Sequence, residues 1–242
     1  MEIKAPLYPA FEATLSSDRF STYLGWANGD RDRAIQLYSL NTKISESLYT
    51  PLHILEVALR NRVHEVMSAT HGSTWYDQAA HQANPVQAEM LAKARQDMFD
   101  AKKTETPGRM VAALTFGYWT AMLGKEYENL WQTTLNDIAQ REDGKGLTRK
   151  AFSKPLAPIR TLRNRIAHHE PILYWTLLKH HDAILQLTAW LSPVAAQWSR
   201  DHTRFAQVHP AGGIDLHRTA MTELCADQDQ TDLGLPPFQP PT

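Results

Sequence analysis

The chain has few of the residues that mark a disulfide-rich, metal-thiolate or membrane protein. Cys225 is the single cysteine among 242 residues, so no internal disulfide can form and no cysteine cluster can hold zinc. No run approaches the roughly 18 apolar residues of a membrane span, and the first residues lack the apolar stretch of a signal peptide. We therefore expect a protein of the reducing cytoplasm that has no membrane partner.

Charge of one sign and phosphate-binding loops are also missing. The chain carries 25 basic and 26 acidic residues, for a net charge of −1, which excludes a strongly basic nucleic-acid coat but allows a local basic cleft. It has no glycine-rich loop ending in Gly-Lys, and no Gly-x-Gly-x-x-Gly after a strand. A nucleotide-driven motor and a dinucleotide-dependent enzyme are therefore not expected.

The segments that are present have helical periodicity. Glycine is scarce, at 11 residues, and alternating strand-like runs with hairpin turns are nearly absent. Asp30 is suited to cap a helix that runs to about Leu48, and Pro51 is suited to start the next one. The sequence predicts an all-α fold, with one helical domain over residues 1–207 and a polar, Pro-rich, partly irregular and flexible tail over residues 208–242.

Prolines also set the expected bounds of a later helix. Pro155 and Pro158 place its start near Leu156–Ile159, and Pro171 stops it shortly after His169. A long helix is predicted to follow, from about Trp175 to Trp198, with an interruption near Ser192-Pro193.

One tetrapeptide, Leu-Arg-Asn-Arg, occurs at residues 59–62 and again at residues 162–165. In the second copy Asn164 and His168 are four residues apart and share a helix face, and the flexible Arg163 can reach toward the same imidazole. Histidine can transfer protons near neutral pH, and arginine holds phosphate through two hydrogen bonds. These are the groups that metal-free cleavage of a phosphodiester requires. The alternative is that His168 and His169 only favour the helix dipole and that Arg163 is a surface charge.

This motif region resembles the signature of the HEPN superfamily, an arginine and a polar residue followed at a short distance by histidine. More narrowly, the chain is similar to the Abi family of abortive-infection proteins over about residues 10–205. Blocks in the family's order carry the resemblance: Leu37-Tyr38 with Asn41, Ser45 and Leu48-Tyr49, then Pro51-Leu52 and 55–61, then 116–119, Tyr127 and Leu130-Trp131. One departure is Leu40, where the family has tryptophan before Asn41; we expect it to affect packing and not chemistry.

The resemblance implies an HEPN-like bundle that forms a homodimer, with the motifs of two subunits facing one cleft. It implies a metal-independent endoribonuclease that needs no cofactor and acts as a toxin or phage-defence effector on RNA; an antitoxin or regulatory protein is a further partner that it leaves open. Arg163, Asn164 and His168 carry over as the catalytic residues. The supporting residues are Glu56, Arg60 and Asn61, which match the family's N-terminal block and are expected to line the same cleft, and His169, about 100° further round the helix.

Three alternatives stay open at this point. Some members of the superfamily are inactive binding modules, so the chain can be a non-catalytic module that binds RNA or protein. His181-Asp182 is the pair found in metal-dependent helical phosphohydrolases, although that site needs more ligands on other helices, with His53 or His64 as candidates. Glu56 and Arg60, four residues apart, can equally form a structural ion pair that positions their helix.

Overall fold

The computed structural model describes residues 8–82 and 84–216, and these residues contain helices and no strand. The all-α prediction is therefore confirmed for this part of the chain. The last part of the expected tail, with Cys225, lies outside the described residues. The α-helices are α1 Tyr8–Leu15, α2 Ser17–Trp26, α3 Arg31–His71, α4 Pro85–Asp100, α5 Pro107–Ala113, α6 Phe116–Ala121, α7 Glu128–Ile138, α8 Arg149–Ala167, α9 Leu177–Leu191, α10 Pro193–His202 and α11 Phe205–Val208.

Helix α3 runs through Pro51, so the prediction that a second helix starts there is wrong. Asp30 does cap the helix, since its carboxylate accepts a hydrogen bond from the Arg33 N–H at 3.1 Å. Pro51 has no N–H to donate to the Ser47 carbonyl, but the Thr203 hydroxyl donates to that carbonyl at 3.4 Å. The buried apolar stripe also continues past the proline, through Ile44, Leu48, Leu52, Leu55 and Leu59.

Helix α8 begins at Arg149, well before the predicted start near Leu156–Ile159, and it contains both Pro155 and Pro158. Thr148 caps it, because its hydroxyl oxygen accepts from the Ala151 N–H at 3.2 Å and its carbonyl accepts from the Phe152 N–H at 3.1 Å. Burial outweighs the two missing backbone hydrogen bonds, since the helix hides one apolar stripe along its length: Phe152, Leu156, Ile159 and Leu162, each at most 1% exposed.

The predicted interruption near Ser192-Pro193, in the helical region after Trp175, is confirmed. Helix α9 ends at Leu191 and α10 begins at Pro193. The Ser192 hydroxyl oxygen accepts from the Ala195 N–H at 3.2 Å, so Ser192 caps the helix that Pro193 opens.

The described chain divides into two compact units. The first contains residues 8–50, 161–181 and 202–216, and its aromatic interior includes Tyr23, whose ring contacts the rings of Trp26 and Tyr38 edge to face. The second contains residues 51–82, 84–160 and 182–201, and its interior includes the fully buried Trp75 and Trp119. None of the described helices combines the length and apolar character that crossing a membrane requires.

Candidate functional site

Arg163 and Asn164 lie on the last turn of α8 and His168 directly follows the helix, all within the first unit. Asn164 and His168 are exposed and Arg163 is half-buried. The His168 N–H donates to the Asn164 carbonyl at 2.9 Å, which places the two residues one helical turn apart. The imidazole and the amide therefore reach solvent on one side of the helix end, where a substrate can approach them.

A tight turn ends α8 directly after this pair. The Glu170 N–H donates to the Arg165 carbonyl at 2.8 Å, and the His169 N–H donates to the Ile166 carbonyl at 3.1 Å. This is the Schellman arrangement, in which the residue after the helix cap adopts the left-handed conformation, and His169 has φ 57°. The expectation that His169 continues the helix, about 100° beyond His168, is therefore wrong.

Arg165 stabilises this turn. Its Nη1 lies 3.3 Å from Glu170 Oε2, its Nε donates to the Pro171 carbonyl at 3.2 Å, and its guanidinium lies 5.3 Å from the centre of the Tyr174 ring. Arg62, the last residue of the other Leu-Arg-Asn-Arg copy, is used in the same way in the second unit. It contacts Glu65 at 2.5 Å and donates to the carbonyls of Asp137 and Ile138, at the end of α7. The final arginine of each copy thus has a structural role.

Asn41 holds the segment that follows the turn. It is 5% exposed, its Oδ1 accepts from the Ile172 N–H at 2.8 Å, and its Nδ2 donates to the Glu170 carbonyl at 3.4 Å. One buried side chain thus fixes the backbone on both sides of Pro171. In the sequence Asn41 is only part of a family block, and no role is predicted for it. A polar residue among the apolar positions of a helix is the signal that indicates such a structural hydrogen bond.

Arg19 is a residue near the motif that the sequence did not indicate. Its guanidinium donates to the His168 carbonyl at 3.5 Å, although the two residues are 149 positions apart in the chain. Arg19 lies in the first turn of α2 and is exposed. No local pattern could have revealed this contact, because it depends on tertiary packing within the first unit.

The supporting residues of the N-terminal block lie on α3 in the second unit. Glu56 and Arg60 are half-buried and Asn61 is exposed. The Arg60 Nε is buried and finds no hydrogen-bond acceptor among the described residues. That these three residues line one cleft with Arg163 and His168 stays a prediction.

The histidines proposed for the alternative metal site have packing contacts. The buried His181 ring is stacked on the Phe205 ring, with centres 4.3 Å apart. His64 Nδ1 accepts a hydrogen bond from Trp75 Nε1 at 3.0 Å. Within residues 8–82 and 84–216, no group of three or more His, Cys, Asp or Glu side chains is arranged to hold a metal ion.

The described residues form a helical fold, and the end of α8 exposes Asn164 and His168. Comparison with protein families supports the narrower of the two predicted resemblances. The model of the Abi-like protein family matches residues 10–174. This is more than half of the chain, so the protein belongs to the Abi-like family and hence to the abortive-infection proteins. Searches of curated proteins and of solved structures each found no match.

The family match supports the predicted resemblance over most of its length. It begins at the predicted residue 10 and ends at Tyr174, where the prediction extended to about residue 205. The matched region contains Asn41, the motif residues Arg163, Asn164 and His168, and the turn that follows them. Placement in the wider HEPN superfamily stays a prediction.

Proposed function

We propose that this protein is a metal-independent endoribonuclease of the HEPN type that acts as a toxin or phage-defence effector. The observation that carries the proposal is the exposure of Asn164 and His168 at the C-terminal end of α8, in the same segment as Arg163. A side chain that only satisfied the core would be buried, whereas these groups can reach a phosphodiester from solvent. The turn held by Asn41 adds a fixed backbone directly after the histidine.

In the proposed reaction the 2′-oxygen of a ribose attacks the adjacent phosphorus. The bond between phosphorus and the 2′-oxygen forms, and the bond to the 5′-oxygen of the next nucleotide breaks. A general base takes the proton of the 2′-hydroxyl, and a general acid delivers a proton to the leaving 5′-oxygen. His168 serves as the general base or acid, Arg163 stabilises the charge on the phosphorane, and Asn164 orients the imidazole or the phosphate. The products are a 2′,3′-cyclic phosphate and a 5′-hydroxyl.

The proposal includes a homodimer with a composite site. One chain supplies a single His168 and a single Arg163, whereas the reaction needs a base, an acid and charge stabilisation. A second copy that faces the first across the ends of the two α8 helices provides both sets. Exposure of the motif supports this arrangement, because a buried motif could not meet its counterpart.

The test is cleavage of RNA by the purified full chain, with and without EDTA. Wild type should cleave in both conditions and leave a 2′,3′-cyclic phosphate, and His168→Ala should be inactive. His202→Ala is the matched control, because His202 is also an exposed histidine at the end of a helix. Activity that is lost in EDTA and restored by a divalent cation would shift the assignment to a metal site with His181-Asp182. RNA binding without cleavage by the wild type would favour the non-catalytic binding module.

A further inference from the structure

The contact between Arg19 and the motif helix places a cation next to His168. The Arg19 Nη2 donates to the His168 carbonyl at 3.5 Å, and the residue is exposed to solvent. A guanidinium has five N–H donors in a planar fork, so a single hydrogen bond to a carbonyl leaves donors that can bind a ligand. The guanidinium of Arg19, which belongs to α2, therefore lies at the end of the helix that carries Arg163.

The charge of Arg19 is not neutralised by an ion pair, as the charges of other arginines in the first unit are. Arg31 is paired with Glu12 at 2.7 Å and Arg165 with Glu170 at 3.3 Å, both within the first unit. No carboxylate of the described chain forms an ion pair with Arg19. An arginine without an ion pair, held at the backbone of His168, provides charge that attracts a phosphate.

The local backbone holds Arg19 at a position that is unfavourable for a cation. It occupies the first turn of α2, where the helix dipole favours negative charge. Ser16 caps this turn by accepting from the Arg19 N–H at 3.4 Å, and it does so in the left-handed conformation, with φ 70°. Both features raise the energy of the folded chain locally, and such features are concentrated at functional sites.

We propose that Arg19 is a substrate-binding residue of the motif site and that it holds an RNA phosphate beside the one that is cleaved. This inference rests on the proposed ribonuclease function. The competing explanation is structural: a cation at the C-terminal end of α8 favours the helix dipole and stabilises the turn. The two explanations differ in what removal of the side chain changes, which is RNA affinity in the first case and thermal stability in the second.

The experiment measures binding and cleavage of a short single-stranded RNA of mixed sequence by the full chain. Arg19→Ala is compared with Arg19→Lys, which keeps the charge, and with Arg31→Ala, which removes an arginine whose charge Glu12 already neutralises. Affinity is measured by fluorescence anisotropy in a His168→Ala background at several salt concentrations, and KM and kcat are measured with active His168.

Arg19→Ala should weaken binding and raise KM roughly tenfold, while kcat changes less than about twofold. The slope of log affinity against log salt should become shallower by about 0.7, the value for one phosphate contact to a single strand. Arg19→Lys should recover most of the affinity and Arg31→Ala should match the wild type. If the wild type cleaves RNA and Arg19→Ala binds and cleaves like Arg31→Ala, the Arg19 proposal alone is overturned. A lower melting temperature of Arg19→Ala without a change in KM would overturn it as well. A folded wild type that neither binds nor cleaves RNA would overturn the proposed function, and the Arg19 proposal with it.

Discussion

Asn41 and Ile172 are joined by a buried hydrogen bond of 2.8 Å, in which the side-chain oxygen of Asn41 accepts from the Ile172 backbone N–H. The same amide donates to the Glu170 carbonyl at 3.4 Å. Because Pro171 lies between these two backbone groups, Asn41 holds the chain at the point where it leaves the motif helix. The position of His168, two residues before Glu170, thus depends in part on Asn41, which lies 131 positions before Ile172 in the chain.

Replacement of this clamp should destabilise the protein. Asn41→Ala leaves the Ile172 N–H buried without an acceptor, and such a loss costs about 1–3 kcal/mol of the free energy of unfolding. Asn41→Asp should lower the free energy of unfolding less than Asn41→Ala does. Its carboxylate still accepts from the Ile172 N–H, although it cannot donate to the Glu170 carbonyl. Urea unfolding measures the difference, and Gln36→Ala, an exposed amide on the same helix, should change the free energy by less than about 0.5 kcal/mol. An Asn41→Ala variant as stable as Gln36→Ala would show that the clamp contributes nothing.

His169→Gly should stabilise the protein. His169 has φ 57°, a conformation that glycine adopts without the penalty of a Cβ atom. We expect a gain of about 0.5–1 kcal/mol, seen as a higher melting temperature, whereas His169→Ala keeps the strained backbone and should gain nothing. His169→Ala should also reduce RNA cleavage less than His168→Ala does. A melting temperature for His169→Gly at or below that of His169→Ala would contradict the assignment of His169 to the turn.

Stability should fall in mild acid because of His81. Its side chain is 5% exposed, and burial, together with the nearby His71, lowers its pKa below the usual value of 6.5. The folded protein therefore binds fewer protons than the unfolded chain once the pH falls below about 6.5, so the stability that is present above this pH is lost as the pH decreases. Burial lowers the pKa of His64 as well, which adds a loss of the same sign.

His81→Leu should flatten this pH dependence. Neither ring nitrogen of His81 has a hydrogen-bond partner among the described residues, so an apolar side chain sacrifices no hydrogen bond there. Urea unfolding between about pH 5 and pH 8 measures the slope, with His202→Leu as an exposed control. Slopes that are identical for His81→Leu and His202→Leu would contradict the assignment.

Local features could be predicted from the sequence, and tertiary ones could not. The Asp30 cap, the break at Ser192-Pro193 and the one-turn spacing of Asn164 and His168 each depend on residues within a few positions of one another. Pro51 misled the prediction because its helix is continued by a buried stripe and by the Thr203 hydroxyl, 156 positions from the Ser47 carbonyl it contacts. The Arg19 contact could not be predicted for the same reason, since hydrogen-bond partners so distant in the chain leave no periodic signal.

The rate of RNA cleavage by folded His168→Ala protein, relative to wild type, decides whether His168 is the catalytic histidine. His168 is exposed just beyond the last residue of α8, so its truncation opens no core cavity and should cost about 1 kcal/mol or less of stability. Loss of a proton-transfer group lowers a rate by about 10²–10⁴. We predict a decrease of this size in EDTA-containing buffer, with the melting temperature nearly unchanged and with Arg163→Ala similarly impaired. A folded His168→Ala protein that cleaves at the wild-type rate would contradict this prediction.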